Sequence, residues 1–166
     1  MDLSQLLIWL HDLSFATAIR EGAFLFPAIE CLHVLAITLV VGSIAIVDLR
    51  LVGVASVERS VSSIAGDILP ITWIAFAAAV ITGGLMFASH AVGYAASFQF
   101  RMKMILLILA GINMLMFHSV MARSPQKWTT PCVVPWEGRT AGTISLVVWI
   151  GIVAFGRWIG FYHIEG

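Results

Sequence analysis

The chain has 166 residues, 60% hydrophobic and 11% charged, with nine Lys+Arg against nine Asp+Glu and a formal net charge of zero. A soluble domain averages about 25% charged residues, so this balance excludes a disordered chain, an ordinary soluble enzyme and a nucleic-acid binder that relies on a basic field. With a mean hydropathy of +1.00, the lipid bilayer is the expected solvent. The fold class is all-α: an integral membrane four-helix bundle preceded by an interfacial amphipathic helix.

The start, MDLSQLLIWLHDLSF, lacks a basic n-region and carries Asp2, His11 and Asp12. It makes a poor secretory signal, and the whole chain is expected to be mature protein. Over residues 3–19, leucines alternate with polar residues at helical spacing, which predicts an amphipathic helix on the membrane surface.

Charge-free stretches then mark the spans. A spanning helix needs about 20 mostly apolar residues, and residues 27–49, 68–92, 102–121 and 141–162 meet that length within one four-span domain. Lipid satisfies no backbone polar group, so these are helices, and none alternates like a barrel strand. Cys31, inside the first span, reads as a small buried hydrophobe. Cys31 and Cys132 form no CxxC and no disulfide framework. No internal repeat is visible.

A serpentine of four spans places both ends of the chain on one side, here face A. Arg20, Arg101, Lys103 and Arg157 lie towards it, and Arg50, Arg59, Arg123, Lys127 and Arg139 towards face B. This small bias leans towards face A being outside. Asp48 and Arg50 are expected to pair with each other or with Asp67 and Arg139.

Ionisable residues inside spans are costly and carry functional hypotheses. His33 lies two turns inside the first span from face A, and Glu30 one turn before it. His90 ends the second span, Lys103 opens the third and His163 closes the fourth, all at face A. His118 alone sits towards face B. On the second span, Thr72, Ala79, Gly83, Met86 and His90 share a face of mostly small residues, which lets a helix or a flat cofactor approach closely. A b-type heme needs axial nitrogens inside an apolar bundle. His33 and His90, from neighbouring spans, are the candidate metal ligands, with Lys103 as another ligand or a propionate partner. Glu30 would orient the second nitrogen of His33 or pair with Arg157, and His163 is a further cofactor-binding candidate.

The strings LHVLAITLVVG and FRMKMILLILAGINMLMFH resemble patterns in a bacterial group of four-helix membrane modules. That group includes the CopD-type copper-resistance domain and the HemJ-type protoporphyrinogen oxidase. DLRLVG and GRWIGF look more like an uncharacterised branch, a bacterial domain of unknown function. The resemblance implies a multi-pass protein of the bacterial cytoplasmic (inner) membrane. In HemJ-type enzymes a first-span histidine and a third-span lysine matter for heme binding and activity, and the matching positions are His33 and Lys103. The HemJ-type Trp-Phe-Ala-Gly string is replaced by Leu39-Val40-Val41-Gly42.

Three functions follow as expectations. The first is heme b binding in electron transfer or porphyrin-linked redox chemistry, with a quinone or another redox partner. The second is copper handling of the CopD kind, with Glu30, Cys31, His33 and His90 as transient ligands. The third is a non-catalytic scaffold in a homo-oligomer or membrane complex.

Overall fold

A computed structural model describes residues 2–123, 125–130 and 134–161. Among the described residues all regular structure is helical: α1 (Leu3–His11), α2 (Ser14–Glu21), α3 (Leu25–Val52), α4 (Val61–Ser89), α5 (Ala91–Ala96), α6 (Phe98–Arg123), a 3-10 turn (Pro125–Trp128) and α7 (Trp136–Ile159). The four long helices α3, α4, α6 and α7 are apolar enough to cross a membrane, with mean hydropathies of 1.7 to 2.2. Large apolar side chains such as Ile74, Ile81, Ile108, Leu115 and Ile150 stand exposed on their outer faces. In water this would be costly, but in lipid it is the solvated state.

The spans run longer than the charge-free stretches. α3 carries Asp48 and Arg50 inside its last turns and stops only at Gly53, whose φ of 87° makes a left-handed cap. The Gly53 N–H donates to the carbonyls of Leu49 and Arg50, a helix ending that strongly favours glycine. α4 starts two turns earlier than expected because Ser60 caps it, accepting from the Ser63 N–H at 3.2 Å. Val61, Ile64 and Ala65 are then buried, so this stretch is held by packing rather than by lipid. α4 ends at Ser89, and His90 bends the chain into α5. α7 likewise begins at Trp136, before the charge-free stretch opens.

The single N-terminal helix expected over 3–19 is instead two helices that break at Asp12–Leu13. α2 buries Ala16 and Ile19, and the hairpin packs on α3, α4 and α5 at face A.

α3 packs along α4 and α7, and α6 packs along α7, whereas α4 and α6 make no extended contact. Gly142 brings α7 against α3, since a Cβ there would lie 2.8 Å from the Leu51 Cβ and 3.0 Å from the Asp48 carbonyl. Small residues at such crossings allow close approach where lipid offers helices no hydrophobic drive to associate. Hydroxyls and an amide add ties: Thr72 lies 2.8 Å from Ser43 across α3 and α4, and Asn113 Nδ2 donates to the Ala141 carbonyl at 3.1 Å across α6 and α7.

Face B is closed by an apolar cluster of Val47, Leu51, Val61, Ile64, Trp128 and Val134. Trp128 is 1% exposed and meets Phe117 edge-on at 5.2 Å.

The expected pairings at face B take another form. Asp67 pairs with Arg59 on the exposed surface, and the Arg50 Nε donates to the Arg59 carbonyl at 2.7 Å. Arg50 therefore pins the α3–α4 corner through a backbone carbonyl rather than a carboxylate. Cys31, expected to be buried, is exposed on the outer face of α3. It sits two residues from His33, about 200° around the helix, so turning the imidazole inward turns the thiol outward.

Candidate functional site

Face A gathers polar side chains from all seven helices. His33 leaves α3 towards α4, where its Nδ1 lies 2.8 Å from Thr82 Oγ1. Its ring rests on Gly83, whose Cβ, if present, would be 2.9 Å from His33 Cε1. The small-residue face of α4 is thus filled at Gly83 by the imidazole itself rather than left open as a slot. That close approach is the reason this position needs glycine.

Lys103, in the first turns of α6, lies along α7 at Gly156. A Cβ at Gly156 would sit 3.5 Å from Lys103 Nζ. The lysine is half-buried. Among the described residues its ammonium has no hydrogen-bond partner and no ion pair. A cation inside an apolar span without a partner is costly, and an anionic ligand group would offset that cost.

His90 is placed differently from His33. It caps α4 seven residues beyond Gly83, about 10 Å further along the axis at 1.5 Å per residue. Its Nδ1 lies 3.0 Å from Ser89 Oγ, and its ring stands edge-on to Phe26 at 5.5 Å and to Tyr94 at 6.2 Å. The two histidines share one helix seam but sit at different depths. Burial, then the charge of Arg20, hold the His90 ring below the ordinary histidine range.

Glu30 is exposed and does not orient His33; Thr82 takes that position. Glu30 instead acts on Tyr94, whose phenol is pushed above its ordinary range by burial and then by this carboxylate. Arg157 stands over the Phe161 ring at 5.6 Å rather than against Glu30. His163 and Cys132 lie outside the described residues. His118, on the exposed side of α6, lies 3.1 Å from the Met114 carbonyl and belongs to no site.

A polar clamp covers the same end. Arg20 Nη1 donates to the carbonyls of His11 and Ser89 at 3.2 and 3.0 Å and approaches His11 Nδ1 at 3.3 Å, while Nη2 reaches Thr17 Oγ1 at 3.2 Å. An arginine only donates, so His11 Nδ1 accepts and carries no proton there. Beside the clamp, Phe87 stacks on Phe100 with centroids 5.2 Å apart, and Tyr94 packs against both. This aromatic cluster bridges α4 and α6 where their backbones stay apart.

Sequence reasoning missed Thr82, Ser89 and Gly156. Their signal was present only as hydroxyls beside a glycine or a histidine (Thr82–Gly83 and Ser89–His90) and as a glycine within GRWIGF. A groove of about 390 Å³ also opens between α3 and α7, lined by Val41, Ile44, Ala45, Trp149 and Val153 with Asp48 at one end. It lies away from His33. Among the described residues no three His, Cys, Asp or Glu side chains gather as a metal-binding group.

The architecture defines a class: an all-α bundle with four helices fit to cross a membrane and a polar cluster at one end. Within that class, the family of unknown function DUF6644 matches residues 13–162, and the chain belongs to that family. The match gives no support to a relation with the CopD-type or HemJ-type proteins. Comparison with curated proteins and with solved structures returns no match.

Proposed function

We propose that this chain is a multi-pass protein of the bacterial inner membrane that binds heme b through His33 and takes part in one-electron transfer or porphyrin-linked redox chemistry. The observation that carries this reading is the His33 environment. The imidazole is held inside the bundle by a hydroxyl at Nδ1, and Lys103, which has no hydrogen-bond or ion-pair partner among the described residues, opens α6 at the same face. Such a set suits heme b, which His33 would ligate and Lys103 would hold as a propionate partner or further ligand. His90 and Glu30 are better placed to shape the rim of the site than to bind the same iron. When bound, heme supplies the ferric–ferrous couple, and the chain excludes water and sets the potential through its ligand and charges. A lipid-soluble quinone or a neighbouring membrane protein would exchange the electron. A copper site of the CopD kind has less support, because Cys31 and Glu30 are both exposed and no ligand triad forms among the described residues.

The test is an absorption spectrum of detergent-purified protein from heme-sufficient cells, as isolated and after dithionite. A Soret band with sharp reduced α and β bands is the expected result. His33→Ala should lower heme retention by about tenfold or more while the protein still inserts. A featureless spectrum of the wild type overturns the reading, as does full heme content in His33→Ala.

A further inference from the structure

The hydroxyl of Thr82 determines which nitrogen of His33 is available. Thr82 Oγ1 lies 2.7 Å from the Ala78 carbonyl, one turn back on α4, and 3.3 Å from the Ala79 carbonyl. A carbonyl oxygen can only accept, so the single hydroxyl proton is spent on the helix backbone. Thr82 Oγ1 then meets His33 Nδ1 at 2.8 Å with lone pairs alone. The opposite assignment would turn the Thr82 proton to His33 and leave two oxygens 2.7 Å apart with no hydrogen between them. Thr82 is 4% exposed, so water is poorly placed to relieve that contact.

We infer that His33 is fixed as the Nδ1–H tautomer by the chain Ala78 carbonyl–Thr82 hydroxyl–His33, that Nε2 is its metal-binding nitrogen, and that Thr82 is the positioning residue of the site. The metal-binding half of this inference rests on the heme reading, and the tautomer half does not. A ligating histidine characteristically donates its other N–H to a fixed acceptor, which sets ring orientation and raises ligand basicity. Here the acceptor is a hydroxyl whose own proton is committed, so it behaves as a carbonyl would. Gly83 completes the arrangement, because only a missing Cβ lets the ring lie close enough to α4 to reach that hydroxyl.

The Ser89–His90 pair supplies an internal control. Ser89 Oγ lies 2.7 Å from the Met86 carbonyl and 3.0 Å from His90 Nδ1, the same chemistry about 10 Å along the axis. Removing that hydroxyl should leave His33 untouched.

The experiment is nitrogen-15 NMR of histidine-labelled protein in lipid, with the His33 signal assigned by its loss in His33→Gln. It is read without heme at about pH 8, above the ordinary histidine range of about 6.5, and paired with heme titration of the same samples. The expected wild-type result is a protonated Nδ1 and a bare Nε2. Thr82→Ser should retain that tautomer and heme affinity. Thr82→Val, close in shape, should lose the single tautomer and weaken heme binding about 10–100-fold. Ser89→Ala should change neither. An Nε2–H tautomer in the wild type overturns the inference, and so does Thr82→Val with tautomer and heme affinity both intact. If the wild type takes up no heme, the proposed function and the ligand role of Nε2 fall together, and the nitrogen signals still judge the role of Thr82.

Discussion

The two ends of the bundle are closed by different means. Face B is sealed mainly by apolar packing around Trp128, with Asp48 and Arg50 buried beside it and the Arg59–Asp67 ion pair out on the surface. Face A is closed by polar contacts: the Arg20 clamp, the His33–Thr82 contact and the stacked rings of Phe87, Phe100 and Tyr94. Apolar packing is indifferent to proton concentration and tolerates no ligand. Polar contacts at a membrane surface can be exchanged for those of a cofactor or a proton.

Breaking face B should have the largest effect on stability. Trp128→Ala empties the centre of the cluster, and a buried tryptophan truncated to alanine costs about 3–5 kcal/mol. Thermal unfolding in detergent should show a lower midpoint, with the His33 site still formed in the molecules that remain folded. A variant as stable as the wild type would refute the division between the ends.

Face A should respond to pH instead. The folded state holds the His90 ring below the ordinary histidine range, by burial first and by Arg20 second. Released from that environment, the ring takes up a proton near about pH 6.5. The stabilisation from a neutral His90 is therefore fully present above that pH and is lost as pH falls through it. Amide exchange in α1 and α2, corrected for its intrinsic pH dependence, should rise on acidification, while amides around Trp128 stay protected. His90→Gln should reduce that response. Equal loosening at both ends would remove the comparison.

The smallest effect should come from the surface pair. Arg59 and Asp67 are 53% and 62% exposed, and such a pair contributes about 0–1 kcal/mol. Arg59→Ala should shift the midpoint barely, and less at higher salt. A loss comparable to Trp128→Ala would show that face B depends on charge after all. The Arg50 contact survives this substitution, since it uses the Arg59 backbone carbonyl.

Several features were legible in residue order. Four apolar stretches without charge predicted four long helices, because lipid leaves no other way to satisfy a spanning backbone. The serpentine placed His33, His90 and Lys103 towards one face without any tertiary information. Less could be read about which side of each helix meets a neighbour. An outward leucine and an inward leucine are equally at home when lipid and core are both apolar, so composition hides the seam. Cys31 was misjudged for that reason, since an apolar neighbourhood looks the same on either side of α3.

Residue order alone determined the helical class, the count of membrane-length stretches and the concentration of imidazoles and Lys103 near one face, because each follows from the cost of charge and unpaired backbone in hydrocarbon. Tertiary structure alone decided that Thr82 rather than Glu30 meets His33, that His90 lies about two turns from it, that Val61 to Asp67 is helix rather than linker, and that the N-terminal helix breaks at Asp12 and docks. Each of these depends on which short contacts a folded pair of helices permits, and a glycine at 83 with a serine cap at 60 shows its consequence only when the facing side chain is in place.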